Sequence, residues 1–390
     1  MSFSHDAGWV LMFAALAGCA FGLASAMAAR VTLRRSRRLS GGTAAAITLL
    51  KPLHGAERGL EAALAGFLTQ DYPGPVQVVF GLRYTGDPAM DVVEKIKRRF
   101  PGRDIAVVVD PSLHGTNRKI SNVVNMMKAA KHDFLVLTDA DITVPSDYLT
   151  TIAAAAARPG VGLVSCLYSG RGSGNFWSRF AAMGISYHFL PNAALGLAVG
   201  FVRPCFGSTI ALSRQTLDRI GGFEAFTGHF VDDYEIGRAA REAGFSIAYP
   251  AMAVEHGCDN ASFAAWAGQE LRWARAIRVV NPVGHLASVV THPLPLALIG
   301  AAMLGFADAA SVILCAVLAV RATLKLQIDA LIKQRTGSIL WLPLRDLLSF
   351  AIFLGSLFGN AVEWRGERLR VDKSGRMSVE KSALMSQIQG

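Results

Sequence analysis

An α/β fold is predicted, with a mostly parallel sheet covered by helices on both faces and apolar helices at the two ends of the chain. Three observations predict it. Between residues 44 and 250 short β-rich runs alternate with stretches of helical periodicity, the pattern of a doubly covered parallel sheet. Residues 8–29 carry no charge and are long enough to cross a hydrocarbon layer of about 30 Å. The composition agrees, because 52% hydrophobic against 17% charged in 390 residues is too apolar for a freely soluble enzyme or a disordered chain. That length accommodates one catalytic domain of about 250 residues with appendages.

The N-terminal run reads as a membrane span and not as a secretory signal. Only His5 and Asp6 precede it, and its positive charge follows as Arg30, Arg34, Arg35, Arg37 and Arg38. Positive-inside bias then puts the N-terminus outside and the chain after Arg30 in the cytoplasm. Strands are expected at 46–50, 76–82, 105–109, 134–138 and 161–166, and helices at 59–68, 89–100, 119–130 and 147–156.

Residues 293–320 are apolar except for Asp308, and 347–362 are apolar after Arg345 and Asp346. Two spans there would return the basic tail, 363–390, to the cytoplasm. Arg321, Lys325, Lys333 and Arg335 would then fall in an external loop, against the charge rule. Either 324–332 lies along the interface as an amphipathic helix, or 293–320 breaks near Gly305 and Asp308. The expected division is a span with a basic segment over 1–43, a catalytic domain over 44–290, and membrane segments with a tail over 291–390.

Charge and cysteines narrow the function. A net charge of +10 suits an anionic bilayer surface or a phosphorylated substrate. Nucleic acid is not expected as a partner, because the charge clusters beside apolar spans and not among interleaved aromatics. Five widely spaced cysteines without a C-x-x-C argue against a disulfide framework or structural zinc and fit a reducing compartment.

In parallel sheets ligands bind beyond the carboxyl ends of the strands. Gly86-Asp87-Pro88 follows the second strand, Asp110 and His114 to Lys119 the third, and Thr138-Asp139-Ala140-Asp141 the fourth. Asp139 and Asp141 can share a hard cation, Mg²⁺ or Mn²⁺, whose shell substrate phosphates complete. Their alternative is a solvated turn. Asp233 offers a general base, although Asp232-Asp233 reads first as the acidic opening turn of a helix. Gln269, Arg272 and Trp273 share one helical face, where an arginine can clamp a diphosphate and an indole can bound a sugar or apolar surface. The alternative there is an interfacial helix, extended by Arg275 and Arg278. Asn117, Lys119 and Asn122 line a nucleotide or cap a helix. Gly170, Gly172 and Gly174 lack dinucleotide spacing and are expected in a mobile loop. His256 is expected to be structural, with a metal as its alternative partner.

Asp87, Asp139/Asp141, Asp233 and Gln269-x-x-Arg272-Trp273, in that order, resemble the D, D-x-D, D, Q-x-x-R-W signature of membrane family 2 and ceramide-glucosyltransferase-like enzymes. The similarity runs from Leu50 to about Arg278. Lys51-Pro52-Leu53-His54-Gly55, His114-Gly115-Thr116-Asn117, Pro204-Cys205-Phe206-Gly207 and Glu270-Leu271-Arg272-Trp273-Ala274-Arg275 look like the hopanoid-biosynthesis-associated members. The resemblance implies a GT-A fold and one inverting displacement, best read as N-acetylglucosamine passing from UDP to bacteriohopanetetrol at a bacterial inner membrane. It implies that Asp87 holds the uracil, that Asn117, Lys119 and Gln269 meet the nucleotide sugar, and that Asp139 faces the ribose. Asp141 would hold the divalent cation, Asp233 take the acceptor proton, Arg272 hold the diphosphate and Trp273 line the acceptor side. The complete D-x-D departs from ceramide enzymes, which often have Asp-Ser-Gly, and favours a metal. Ceramide with UDP-glucose is the alternative acceptor and donor. A processive polysaccharide synthase would need a polymer channel, for which two or three spans are few. An inactive scaffold would not need every carboxylate.

Overall fold

The computed structural model describes residues 2–34, 44–172, 174–200, 202–359, 361–364, 367–372 and 375–379. Arg35, Arg37 and Arg38 lie outside them. After α1 (Ser2–Arg34) come β1 (Ile47–Pro52), α2 (Leu60–Leu68), β2 (Val76–Leu82), α3 (Ala89–Arg99), β3 (Asp104–Val109) and α4 (Arg118–Met126). Then follow β4 (Phe134–Leu137), β5 (Ile142–Thr143), α5 (Tyr148–Ala156), β6 (Val161–Val164), β7 (Leu167–Gly172), α6 (Phe176–Gly184) and α7 (Leu190–Ala198). β8 (Ile210–Ser213), α8 (Arg214–Arg219), α9 (Asp232–Glu242), β9 (Ser246–Ala248) and β10 (Ala253–Cys258) complete the α/β part. The expected strands and helices form within two residues of their bounds, except that 119–130 ends in a separate 3₁₀ turn, Met127–Ala129.

The main sheet has the order β3-β2-β1-β4-β8-β6-β9. β1 pairs in parallel with β2 and β4, β2 with β3, and β6 with β9, while β8 runs antiparallel to β4 and β6. β1 is buried along its whole length, as a strand covered on both faces must be. Alternation sorts the core: Leu49, Val78 and Val136 pack with α2, α3 and α5, and Leu50, Val79 and Leu137 with α4, α8 and α9.

A second sheet, β5-β10-β7, lies beside this one. Here the glycine expectation is corrected. Gly170 and Gly172 belong to β7, and α6 packs directly onto them. A Cβ at Gly170 would stand 2.4 Å from the Ala182 carbonyl oxygen, so the absent side chain permits close strand–helix approach.

The last part holds α10 (Phe263–Val280), α11 (Pro282–Ala287), α12 (Pro293–Met303), α13 (Asp308–Ile332) and α14 (Leu342–Ser356). Among the described residues Ser4–Arg34, Asp308–Ile332 and Ile339–Ser356 are long and apolar enough to cross a membrane. Pro282–Thr291 and Pro293–Met303 form a further pair bent by 64°. The stretch 293–320 is broken, with Gly305 and Phe306 at φ of 62° and 54°. Residues 324–332 do not form a separate interfacial helix. They continue α13, where Leu324, Lys325 and Ile328 are buried. Their charges are tolerated because they are paired: Arg321 donates twice to Asp346, at 2.7 and 2.6 Å, and Lys325 to Asp329 at 2.6 Å.

Beyond α14 an antiparallel unit of β11 (Ala361–Trp364), β12 (Glu367–Val371) and β13 (Met377–Val379) returns to the α/β part. Phe230 N donates to Gly375 O and Met377 N to Gly228 O, both at 3.0 Å. Phe230, Val371 and Met377 pack together. The chain just before Asp232 is therefore held by the far C-terminal segment.

Candidate active site

Because β1 to β4 are mutually parallel, their carboxyl ends share one edge. Lys51 ends β1, Asp87 follows β2, Lys119 opens α4 after β3, and Asp139 and Asp141 follow β4. The first turn of α9 brings Asp232 and Asp233 to the same edge.

Lys119 joins the groups. Its Nζ lies 2.8 Å from Asp139 Oδ1 and 3.1 Å from Asp232 Oδ2. Burial opposes its charge, yet Asp139 and Asp232 prevail and raise its pKa. Asp233 accepts from Gly207 N at 2.7 Å and from Tyr234 N at 2.8 Å. Gly207 is the centre of the arrangement. A Cβ built on it would lie 2.9 Å from Asp139 Oδ2, 3.4 Å from Asp233 Oδ2 and 3.6 Å from Lys119 Nζ. Any side chain there would enter the space between the two carboxylates.

Asp141 faces β10, with Oδ2 3.4 Å from His256 Nε2. Asp141 Oδ1 and His256 Nδ1 are buried and make no hydrogen bond. Among the described residues no three His, Cys, Asp or Glu side chains assemble a complete metal site. Two convergent donors with an unsatisfied carboxylate oxygen nevertheless fit a hard cation that takes its other ligands from phosphates. Burial, then Asp139, pushes the Asp141 pKa up, with His256 acting against them.

Asp233 is raised to about 7 by burial and by Asp232, against Lys119. Lys51 has no exposed surface, and burial lowers it to about 7, opposed by Asp141 and Asp139. The Tyr168 hydroxyl is pushed well above its usual range by burial and by Asp233, Asp139 and Asp141. Its ring lies 5.6 Å from that of His256, which in turn meets the Trp273 ring edge-on at 5.7 Å.

Other residues keep to separate tasks. Asn117 is fully buried, caps α4 through Ile120 N, and donates to His229 O at 2.9 Å and Asp232 Oδ1 at 3.2 Å. Asp87 accepts from Gly55 N at 2.8 Å and Ala89 N at 2.9 Å and lies 3.2 Å from His54 Nδ1, partners that are not part of the Lys119 cluster. On α10, Gln269 accepts from Asn260 at 2.7 Å, and Arg272 is half-buried one turn on. Lys51, Gly207 and Asp232 fall inside motifs the sequence offers but are not assigned roles there; Tyr168 carries no local signal, and its place depends on sheet order.

The Glycosyl transferase family 21 profile matches residues 10–377. Ceramide glucosyltransferase 3 of Caenorhabditis elegans is 20% identical over 346 residues, 86% of this chain and 74% of that protein. A ceramide glucosyltransferase of Komagataella phaffii is 27% identical over 108 residues, 27% of this chain and 21% of that one. Among solved structures, a mannosyltransferase from Pyrobaculum calidifontis in complex with GDP-Man and Mn²⁺ is 19% identical, with a TM-score of 0.53 over 90% of this chain and 99% of that one. The fold is of the GT-A type, and with nearly its whole length matched the chain belongs to Glycosyl transferase family 21, the ceramide-glucosyltransferase-like family.

Proposed function

We propose that this protein is an inverting lipid glycosyltransferase that moves one sugar from a UDP-sugar to a hydroxyl of a membrane lipid. A catalytic unit over 44–290 would work between membrane segments in 1–43 and 291–390. The reading is carried by the convergence of Asp139, Lys119 and Asp233 around Gly207, at the edge of the sheet where α/β folds bind nucleotides.

Asp87 would hold the uracil, and Asp139 would face the ribose. Asp141, with His256, would hold Mg²⁺ or Mn²⁺, which supplies positive charge where the diphosphate leaves. Lys119 and Arg272 add fixed positive charge on the same group. Asn117 acts through Asp232, which it helps to hold. Asp233, poised near neutrality, takes the proton of the acceptor hydroxyl while that oxygen attacks the anomeric carbon from the face opposite UDP. The bond from that carbon to the diphosphate breaks, and its electron pair departs with UDP. Trp273 would wall the acceptor side, with Gln269 near the sugar.

Nucleotide sugars are water-soluble and lipid acceptors are not, so a site at the cytoplasmic face of a bacterial inner membrane reconciles the two substrates. The four short motifs favour N-acetylglucosamine as the sugar and the polyol end of bacteriohopanetetrol as the acceptor. Ceramide with UDP-glucose is the second reading, favoured by the names of the relatives. Membranes containing the protein, incubated with UDP-N-acetylglucosamine and UDP-glucose against a panel of lipids, test both. A single added sugar on the hopanoid polyol is expected. Product on ceramide alone would replace the acceptor, and a ladder of products would indicate a processive enzyme.

A further inference from the structure

We propose that Lys51 is a positioning residue for the cation and diphosphate half of the site, an assignment that rests on the donor-site reading above. The Lys51 side chain has no exposed surface. Its Nζ donates to Thr138 Oγ1 at 2.8 Å and to the Asp139 carbonyl at 2.5 Å, and lies 4.1 Å from the centre of the Phe67 ring. An ammonium has three N–H groups, and these three neighbours account for them. Burying such a charge among neutral partners is costly. Packing alone therefore gives no reason for a lysine in the run Ile47-Thr48-Leu49-Leu50-Lys51.

Its location does give one. The parallel ladder of β1 and β4 ends at Leu50 and Leu137, and one further bond, Thr138 N to Leu50 O at 3.2 Å, closes it. The chain then turns, and that turn is pinned at two carbonyls. The carbonyl of Asp139 accepts from Lys51 Nζ, and that of Asp141 from Gly257 N at 2.8 Å. With both carbonyls engaged by the protein, the two carboxylates meet different partners, Lys119 for Asp139 at 2.8 Å and His256 for Asp141 at 3.4 Å. The second pin is a backbone amide. Lys51 is the side chain that sets the first, beside a longer bond from Ile142 N at 3.4 Å, and so it bears on where the two carboxylates stand relative to each other.

The experiment uses the full chain in lipid nanodiscs, with Lys51→Met and Thr138→Val beside the parent. Thermal unfolding is followed while Mn²⁺ with UDP is titrated, and donor KM and kcat are measured by UDP release. Lys51→Met is expected to unfold, without ligands, within a few degrees of the parent, because the desolvation cost it removes offsets the donor that Thr138 Oγ1 and the Asp139 carbonyl lose. It should need about 10- to 100-fold more Mn²⁺ for the same protection, the usual range for groups that orient metal ligands. Donor KM should rise more than kcat falls, and Thr138→Val should follow in the same direction by less. A Lys51→Met protein with unchanged Mn²⁺ requirement and KM overturns the assignment, as does one whose activity falls only as its stability falls. Should Lys51→Met not accumulate, Thr138→Val decides, and an unchanged Mn²⁺ requirement there overturns the proposal. A parent that neither responds to Mn²⁺ with UDP nor releases UDP removes the donor-site reading, and the role of Lys51 with it. A responsive parent beside an equally responsive Lys51→Met removes the Lys51 role alone.

Discussion

Asp233 ties stability and activity together with opposite signs. Its carboxyl ionises near 4 in an unfolded chain and near 7 in the protein, raised by burial and by Asp232. The folded state thus holds the proton to higher pH, so stability falls between about pH 4 and 7 and the penalty is complete above that. The proposed base must be ionised, so kcat/KM is expected to climb about tenfold per pH unit below about 7 and then level. Asp233→Asn is expected to lower transfer about 10²- to 10⁴-fold while keeping the response to Mn²⁺ with UDP. The same variant should unfold at a higher temperature than the parent at about pH 8. Parent-like turnover in Asp233→Asn would remove the base from the mechanism. For Asp141→Ala the expectation is loss of divalent-ion-dependent turnover, and equal rates of the parent with and without a chelator would count against the metal role.

Two elements carry tests that leave the chemistry aside. Arg321 on α13 and Asp346 on α14 form a buried pair with contacts of 2.7 and 2.6 Å. Asp346→Ala leaves the guanidinium buried and unpaired, which costs about 3–5 kcal/mol, whereas Arg321→Met with Asp346→Leu should recover most of the loss. Unfolding in nanodiscs measures both, and equal losses in the single and double variants would show that the pair is not what holds these helices. The β11–β13 unit is the other case. Its hydrogen bonds to Gly228 and Phe230 hold the chain before Asp232, so deleting 361–390 should speed amide exchange in peptides covering 226–233. These elements also explain where sequence reading failed. The charges of 321–329 read as an external loop or an interfacial helix until Arg321 meets Asp346 on α14 and Lys325 meets Asp329. Gly170 and Gly172 look like part of a loop until α6 is packed against them.

At the scale of the molecule, the proposed function requires the candidate site and the apolar helices to serve one reaction across a water–lipid boundary. Sealed inside-out membrane vesicles containing the protein should transfer sugar from added UDP-sugar, and sealed right-side-out vesicles should not. Equal transfer from both would contradict a cytoplasmic site. Local pattern sufficed for the alternation of strands and helices, the N-terminal apolar helix, the family and the choice of candidate carboxylates, because strand and helix periods and short motifs are written in neighbouring residues. It did not suffice for the partners of those carboxylates. Lys119 between Asp139 and Asp232, Gly207 against Asp233, His256 at Asp141 and Lys51 beneath the Asp139 turn all join residues distant in the chain. Such contacts arise from the strand order and from which helix closes over which edge, and a repeat of two or 3.6 residues carries no record of either.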